Sequence, residues 1–409
     1  MTASTADRKR PNFLPDPEPR EQIYTVVSVD DHVVEPPWMF ENRVEAKYAD
    51  QAPRVVEDER GNQAWLYEGT ELPNFSVHAT VGRAVEEVGF DPQRFDEMRR
   101  GCWDIRARVA DMDINGIAAS LNFPSKLAGF GGVRFSLSQD RGLGLALLRA
   151  YNDWHLEEWA GTVPGRIIPC QVPWLTDIEQ GAEEIRRNAE RGFRSVTFPD
   201  DPERLGLPSM HSGHWDPFLR ACAETETVVS LHVGSASHIL KGASDGPVHI
   251  GTVLFPVNSM IAAVDWLFSM TPSRFPDLKI MLAESGIGWV PSLLDRLNYC
   301  LVENHAGYAG GWQGEDDPCD VLLRNFWFSS LEDPSGFALR DRIGIENILV
   351  ESDYPHPDST WPNTQSVLHE QLRELPEHEA AAVTHGNAEK LFRFPLADGL
   401  RAPRSPAAE

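Results

Sequence analysis

The sequence predicts an α/β chain closed into a (β/α)₈ TIM barrel, and three observations predict it. Eight short, nearly continuous apolar runs recur along the 409 residues. Amphipathic stretches alternate with them, which is the pattern of parallel strands covered on both faces. No GxGxxG follows the first run, so an open dinucleotide-binding sheet loses its usual fingerprint. A barrel with insertions takes ~250 to more than 400 residues, so one domain accounts for the length.

The strands are expected at 24–32 (YTVVSVDDH), 116–124, 165–173, 194–199, 227–234, 278–286, 325–333 and 346–355 (ENILVESDYP). Each ends in a polar or small residue. The helical stretches between them include RARVADMDINGI, DIEQGAEEIRRNAERG, HWDPFLRACAE and VPSLLDRLNYCLVENH, and HEAAAVTHGNAEKLFRF closes the chain. Residues 36–105 interrupt the rhythm between the first strand and its helix. Within them 52–69 reads as a β-hairpin turning at Arg60-Gly61-Asn62. Loops that follow barrel strands lie at the catalytic face, so this insertion is expected to serve as a lid or dimer contact. The barrel domain spans 23–395; residues 1–22 and 396–409, rich in Pro, Ala and charge, are expected to be mobile arms.

A net charge of -25 repels phosphate backbones and anionic lipid, which argues against nucleic-acid and membrane partners. No run approaches the ~20 apolar residues of a membrane span. The N-terminal stretch has no apolar core to act as a secretory signal, and the five cysteines are scattered without CxxC spacing. The expectation is a cytoplasmic protein with reduced thiols, a small-molecule substrate, and a homodimeric or heteromeric assembly.

The chemistry gathers at the strand ends. The first strand ends in Asp30-Asp31-His32, with Glu35 beyond; the fifth in His232; the sixth in Glu284; the eighth in Asp353, with His356 and Asp358 following. Strand alternation points Asp30 and His32 to one side and Asp31 away. Taken singly, Asp30-x-His32 reads as a turn cap, His232 as a core histidine and Asp353-Tyr-Pro as an Asx turn. Taken together, in barrel order, they form a buried set of carboxylates and imidazoles, and a divalent cation relieves the cost of burying them. Asn122, Trp174, Phe198, His211, His214, His238, Trp289 and Trp361 are candidates to line a pocket for a carbon-rich ring. Glu157-Glu158 and Glu183-Glu184 read as solvated helix faces.

The segments VDDHVVEPP (29–37), RVADMDINGIAASLNFP (108–124), LHVGS (231–235), RFPDLKIMLAESGIGWVPSLLDR (274–296), ESDYPHPDSTWP (351–362) and GNAEKLF (386–392) resemble the amidohydrolase-related family. That group includes aminocarboxymuconate semialdehyde decarboxylase and γ-resorcylate decarboxylase. The resemblance implies that Asp30, His32, His232 and Asp353 are metal ligands, with Asp353 also moving protons and His232 and Glu284 as further catalytic candidates. Many relatives carry His-x-His on the first strand and histidine on the sixth, where this chain has Asp30 and Glu284. The donor set is therefore harder, admitting Mn²⁺ or Fe²⁺ beside the Zn²⁺ expected first. The fourth strand, SVTFP, lacks the lysine that bridges two ions in many relatives, so one ion is the default, with Glu284 and His356 as donors to a second. The first functional expectation is a hydrolase acting on an amide, ester or cyclic carbonyl through activated water. The alternatives are non-oxidative decarboxylation of an aromatic or unsaturated acid, oxygen activation at a Mn/Fe pair, and a non-catalytic partner subunit with a structural metal.

Overall fold

The computed structural model describes residues 11–302 and 311–402. Strand β1 (Val27–Val33) leads into an insertion that carries β2 (Arg54–Glu57), β3 (Gln63–Tyr67) and β4 (Thr70–Pro73). The barrel continues with β5 (Ala119–Pro124), β6 (Ile167–Ile168), β7 (Cys170–Gln171), β8 (Ser195–Phe198), β9 (Val228–His232), β10 (Ile280–Ala283), β11 (Phe326–Ser330) and β12 (Ile348–Val350). Their order in the sheet is β6-β5-β1-β12-β11-β10-β9-β8-β7, all parallel. The two ends of that order, β6 and β7, flank Pro169. Proline cannot donate to the ladder, so it splits what is topologically one strand. The sheet thus returns to itself as an eight-stranded barrel. Every expected strand overlaps an observed one.

The expected hairpin is present, with Glu57 paired to Gln63. The Asp58 carboxylate builds its turn by accepting the Arg60 and Asn62 N–H groups, both at 2.8 Å. A third strand, β4, extends it into a small antiparallel sheet. The insertion packs on the His32 side of the barrel: Val34 N–H donates to Cys102 O, and Thr80 N–H donates to Pro355 O between Asp353 and His356.

Helices cover the barrel where expected, and several start on a side-chain cap. Asp104 accepts the Arg106 and Ala107 N–H groups, and Asp140 those of Gly142 and Leu143. The helix Thr364–Leu372 was not expected. Its Gln365 reaches Ile23, Tyr24 and Gly116 and ties the chain start to the barrel. The helical stretch expected up to residue 305 is described as far as Val302, and its last three residues lie outside the described residues. Of the arm expected to be mobile, 11–22 lies against the insertion instead, with Phe13 bridged to Arg83 and Asp16 paired with Arg99 at 2.7 Å; 1–10 lie outside the described residues. The tail likewise returns to the barrel, Arg401 pairing with Glu389 and Ala402 N–H donating to Thr25; 403–409 lie outside the described residues. No described helix is long and apolar enough to cross a membrane.

Candidate metal centre

Position follows from the strand ends. The register of β1 against β5 shifts between Ser28 and Asp31, a bulge of the kind that re-aims a strand end. Asp30 and His32, both fully buried, come from this segment, and His232 closes β9. Glu284 follows directly on β10, and Asp353 stands three residues beyond the end of β12. Both adopt positive φ, 52° and 49°, a conformation that costs a side-chain-bearing residue about 1–3 kcal/mol. Backbone bonds hold the strained turns: Asp353 N–H donates to Asp30 O, and Glu284 N–H to Glu351 Oε2 at 3.1 Å.

The donor atoms converge. His32 Nε2 lies 3.0 Å from His232 Nε2, 3.4 Å from Asp30 Oδ1 and 3.4 Å from Asp353 Oδ1. His232 Nε2 lies 3.4 Å from Asp30 Oδ2 and 3.7 Å from Glu284 Oε2. His356 Nδ1 lies 3.0 Å from Asp353 Oδ1. Three sets of candidate donors result: Asp30, His32 and His232; His32, Asp353 and His356; Glu284, Asp353 and Asp358.

These residues fit a divalent cation on their own chemistry. His232 Nδ1 faces Val233 O at 2.7 Å, which places its proton there and leaves the Nε2 lone pair facing Asp30 and His32. Neither carboxylate oxygen of Asp30 has a hydrogen-bond partner, although both atoms are buried. Lone pairs thus face lone pairs in a dry site, an arrangement that a bound cation makes favourable.

The electrostatics carry the same stress. Burial, then Glu351, Asp353 and Glu284, push the Asp30 carboxyl well above its usual range. Burial and Asp353 likewise raise Glu284, burial raises Glu351 to about 8, and burial with Asp353 raises Asp358 to about 7. Burial lowers His32 well below its usual value and His232 to about 4, so both are neutral and able to ligate. Asp353 is the exception: burial would raise it, but His356 and His32 hold it below the usual carboxylate range. Burial would lower His356 in turn, and Asp353 reverses that.

The fully buried Asp31 supports the centre from behind. Its Oδ1 accepts from Ser28 Oγ (3.1 Å), Ser352 Oγ (2.6 Å) and Tyr354 N–H (3.0 Å). Arg108, also fully buried, donates to Gly101 O and His32 O and lies 4.1 Å from the Tyr354 ring centroid.

Several ring-pocket candidates lie elsewhere. Phe198 packs in the helix–sheet core against Trp215, Phe218 and Trp266 at 5.3–5.6 Å, and Trp174 is buried in the same cluster. Asn122 is buried holding Trp159 Nε1 at 2.6 Å. Trp289 packs on Phe328 and bonds Ser285 O. Trp361 stacks under Arg99 along an outer groove that His356 also reaches. His211 pairs with Asp265 at 2.9 Å and shares with His238 a separate cavity of about 170 Å³. His214 packs edge-on against Trp215. Strand residues of opposite parity face the helices, as Phe198 does. Glu184, expected on a solvated face, is buried between Arg149 and Arg187.

The aromatic wall of the centre comes from residues that sequence reading missed. The Phe130 ring centroid lies 4.7 Å from His32, 4.8 Å from His232 and 5.5 Å from His356, and Phe123 lies 5.1 Å from His232. Phe130 sits in a loop, where no periodicity marks it. Glu351 was also missed, although it stands two residues before Asp353 and alternation could have found it.

Glu284 tests the outer part of the centre. Among the described residues no arginine or lysine pairs with it. Glu284→Gln is expected to weaken Mn²⁺ binding ~10–100-fold in competition with a chelator, the usual cost of losing a supporting carboxylate. Unchanged affinity and turnover would remove Glu284 from the centre, and with it the donor set for a second ion.

The chain belongs to the amidohydrolase family, whose model, described as Amidohydrolase, matches residues 46–394. It is an enzyme of that superfamily; β1, with Asp30 and His32, lies upstream of the matched span. Three solved structures show the same fold. An amidohydrolase from Mycobacterium avium subsp. paratuberculosis K-10 is 22% identical with a TM-score of 0.65, over 90% of this chain and 99% of that one. A 5-carboxyvanillate decarboxylase from Sphingomonas paucimobilis is 20% identical with a TM-score of 0.63, over 91% and 100%. A 5-carboxyvanillate decarboxylase from Novosphingobium aromaticivorans DSM 12444, complexed with manganese and 4-hydroxy-3-methoxy-5-nitrobenzoic acid, is 16% identical with a TM-score of 0.62, over 93% and 100%. No curated protein matches the chain.

Proposed function

We propose that this enzyme is a divalent-metal-dependent, non-oxidative decarboxylase of an aromatic or unsaturated carboxylic acid. The observation that carries the reading is the proton-holding Asp353–His356 pair, 3.0 Å apart, set beside a donor cluster walled by phenyl rings. Asp30, His32, His232 and Asp353 would hold the ion. The manganese of the 5-carboxyvanillate decarboxylase neighbour supports Mn²⁺ ahead of Zn²⁺, as does the hardness of a carboxylate-rich donor set. When bound, the ion supplies positive charge that grips the substrate carboxylate and stabilises charge building in the ring.

His356 delivers a proton to the carbon that bears the carboxylate. Its Nε2 is buried without a protein partner, and Asp353 holds Nδ1. The carbon–carboxylate bond then breaks, its electron pair returns to the ring, and carbon dioxide leaves. The net change is acid anion plus proton to hydrocarbon plus carbon dioxide. Phe130 and Phe123 exclude water and present flat apolar surface to the ring.

The reading is tested by incubating the Mn²⁺-loaded enzyme in D₂O with hydroxybenzoic and unsaturated acids. The expected result is carbon dioxide release with one deuterium at the vacated carbon. A second reading, the hydrolase, uses the same donors, with Asp353, kept ionised by His356 and His32, as the group that would accept the water's proton. Cleavage of a lactone, ester or amide, with no carbon dioxide from any acid, would replace the first reading with the second.

A further inference from the structure

Phe130 has a second face. It lines a cavity of about 410 Å³ together with His78, Ser125, Lys126 and Arg134. The cavity therefore begins at the residue that touches three imidazoles of the metal centre. His78 lines the cavity with Lys126 and feels the charges of both His356 and Lys126, so the cavity lies within electrostatic reach of the centre.

The charge in this cavity is out of keeping with the chain. The sequence holds 62 acidic and 37 basic residues, yet Lys126 and Arg134 stand together here without a carboxylate in ion-pair contact among the described residues. Burial disfavours the charge on both, and the Arg134 charge adds repulsion at Lys126. Arg134 makes one long bond, from Nη2 to Lys126 O at 3.5 Å, and its buried Nε has no partner. Lys126 Nζ rests 5.4 Å from the Phe75 ring centroid.

The neighbouring carboxylates are engaged elsewhere. Glu35 attracts Arg134 from within the protein, but its oxygens accept the Ser125, Leu127 and Ala128 N–H groups. Glu68, on the cavity rim, accepts from Ser138 Oγ and Gln139 N–H. Ser125 Oγ adds an independent observation: the side chain is 1% exposed, borders the cavity and has no hydrogen-bond partner.

We propose that Lys126, Arg134 and Ser125 form a subsite for a second anionic group on the substrate, so that the enzyme prefers dianionic acids. The proposal rests on the reading of the metal centre as the seat of the reacting carboxylate. Two half-buried cations and an unpartnered hydroxyl match a carboxylate, which accepts charge-assisted bonds from the cations. Phe130, which touches the imidazoles and lines the cavity, would pack on the carbon frame between the two anionic ends.

Calorimetric binding of benzoate, isophthalate and terephthalate to the Mn²⁺-loaded and metal-depleted enzyme tests it. At least one dicarboxylate should bind ~10-fold or more tightly than benzoate, the gain expected from charge-assisted contacts. Lys126→Met should remove that preference while leaving benzoate affinity unchanged, and Lys126→Arg should restore it. Arg134→Met should act in the same direction; Lys126→Met is the primary variant because Arg134 is the more buried and the more exposed to folding defects. Sulfate should weaken dicarboxylate binding and spare benzoate. A free-anion site alone would instead bind sulfate with no preference between the acids, and that result overturns the proposal. So does an equal dicarboxylate preference in wild type and Lys126→Met. Metal-independent benzoate binding would count against the decarboxylase reading and leave the subsite standing.

Discussion

Asp353→Asn is expected to lower turnover ~10²–10⁴-fold while keeping most of the bound divalent ion, the usual share of a group that manages a proton. The amide keeps the size of the carboxyl and removes its charge. That charge favours the protonated form of His356 against the effect of burial. Without it the proton for the departing carboxylate's carbon is no longer stored beside the substrate. Asp30, His32 and His232 remain, and their atoms converge without Asp353. The check is metal content and turnover on the same preparation. Near-normal turnover with a full complement of metal would remove Asp353 from the proton path.

Arg108→Met is expected to cost about 3–5 kcal/mol of stability, because it leaves a buried carboxylate without its cation. Burial pushes Asp31 up and the Arg108 charge opposes that. The guanidinium also bonds His32 O, so its loss loosens the strand end that carries the first donors. Chemical denaturation measures the cost, and the double variant with Asp31→Asn should recover part of it, since both charges then leave together. A loss below about 1 kcal/mol would show that the Asp31 network stands on its hydroxyl and amide donors alone.

The barrel was readable because buried parallel strands leave an unmistakable apolar rhythm, and the hairpin because Asp58 to Asn62 carries turn chemistry. The split of the third strand at Pro169 also stood in the sequence as a proline inside an apolar run. The convergence of Asp30, His32, His232 and Asp353 followed from their places at strand ends. The walls did not follow. Phe198 and Trp174 are aromatic and near strand ends, yet Phe198 faces the helices and Trp174 is buried in the core, and residue type alone does not reveal which face a short strand buries. Phe130, His78 and Lys126 come from loops and the insertion, where contact depends on long-range packing that no local period encodes. Arg108 sits inside a helix, and nothing but the closed barrel brings it to His32.

The central claim is that Asp30, His32, His232 and Asp353 hold a divalent ion. Titration of Mn²⁺ into metal-depleted enzyme, followed by calorimetry and elemental analysis, tests it most directly. The account predicts saturable uptake of at least one ion per chain, abolished by His232→Ala in a variant that remains folded. A folded, metal-depleted protein that takes up no Mn²⁺, Zn²⁺ or Fe²⁺, or a His232→Ala variant that binds as the wild type does, would contradict it.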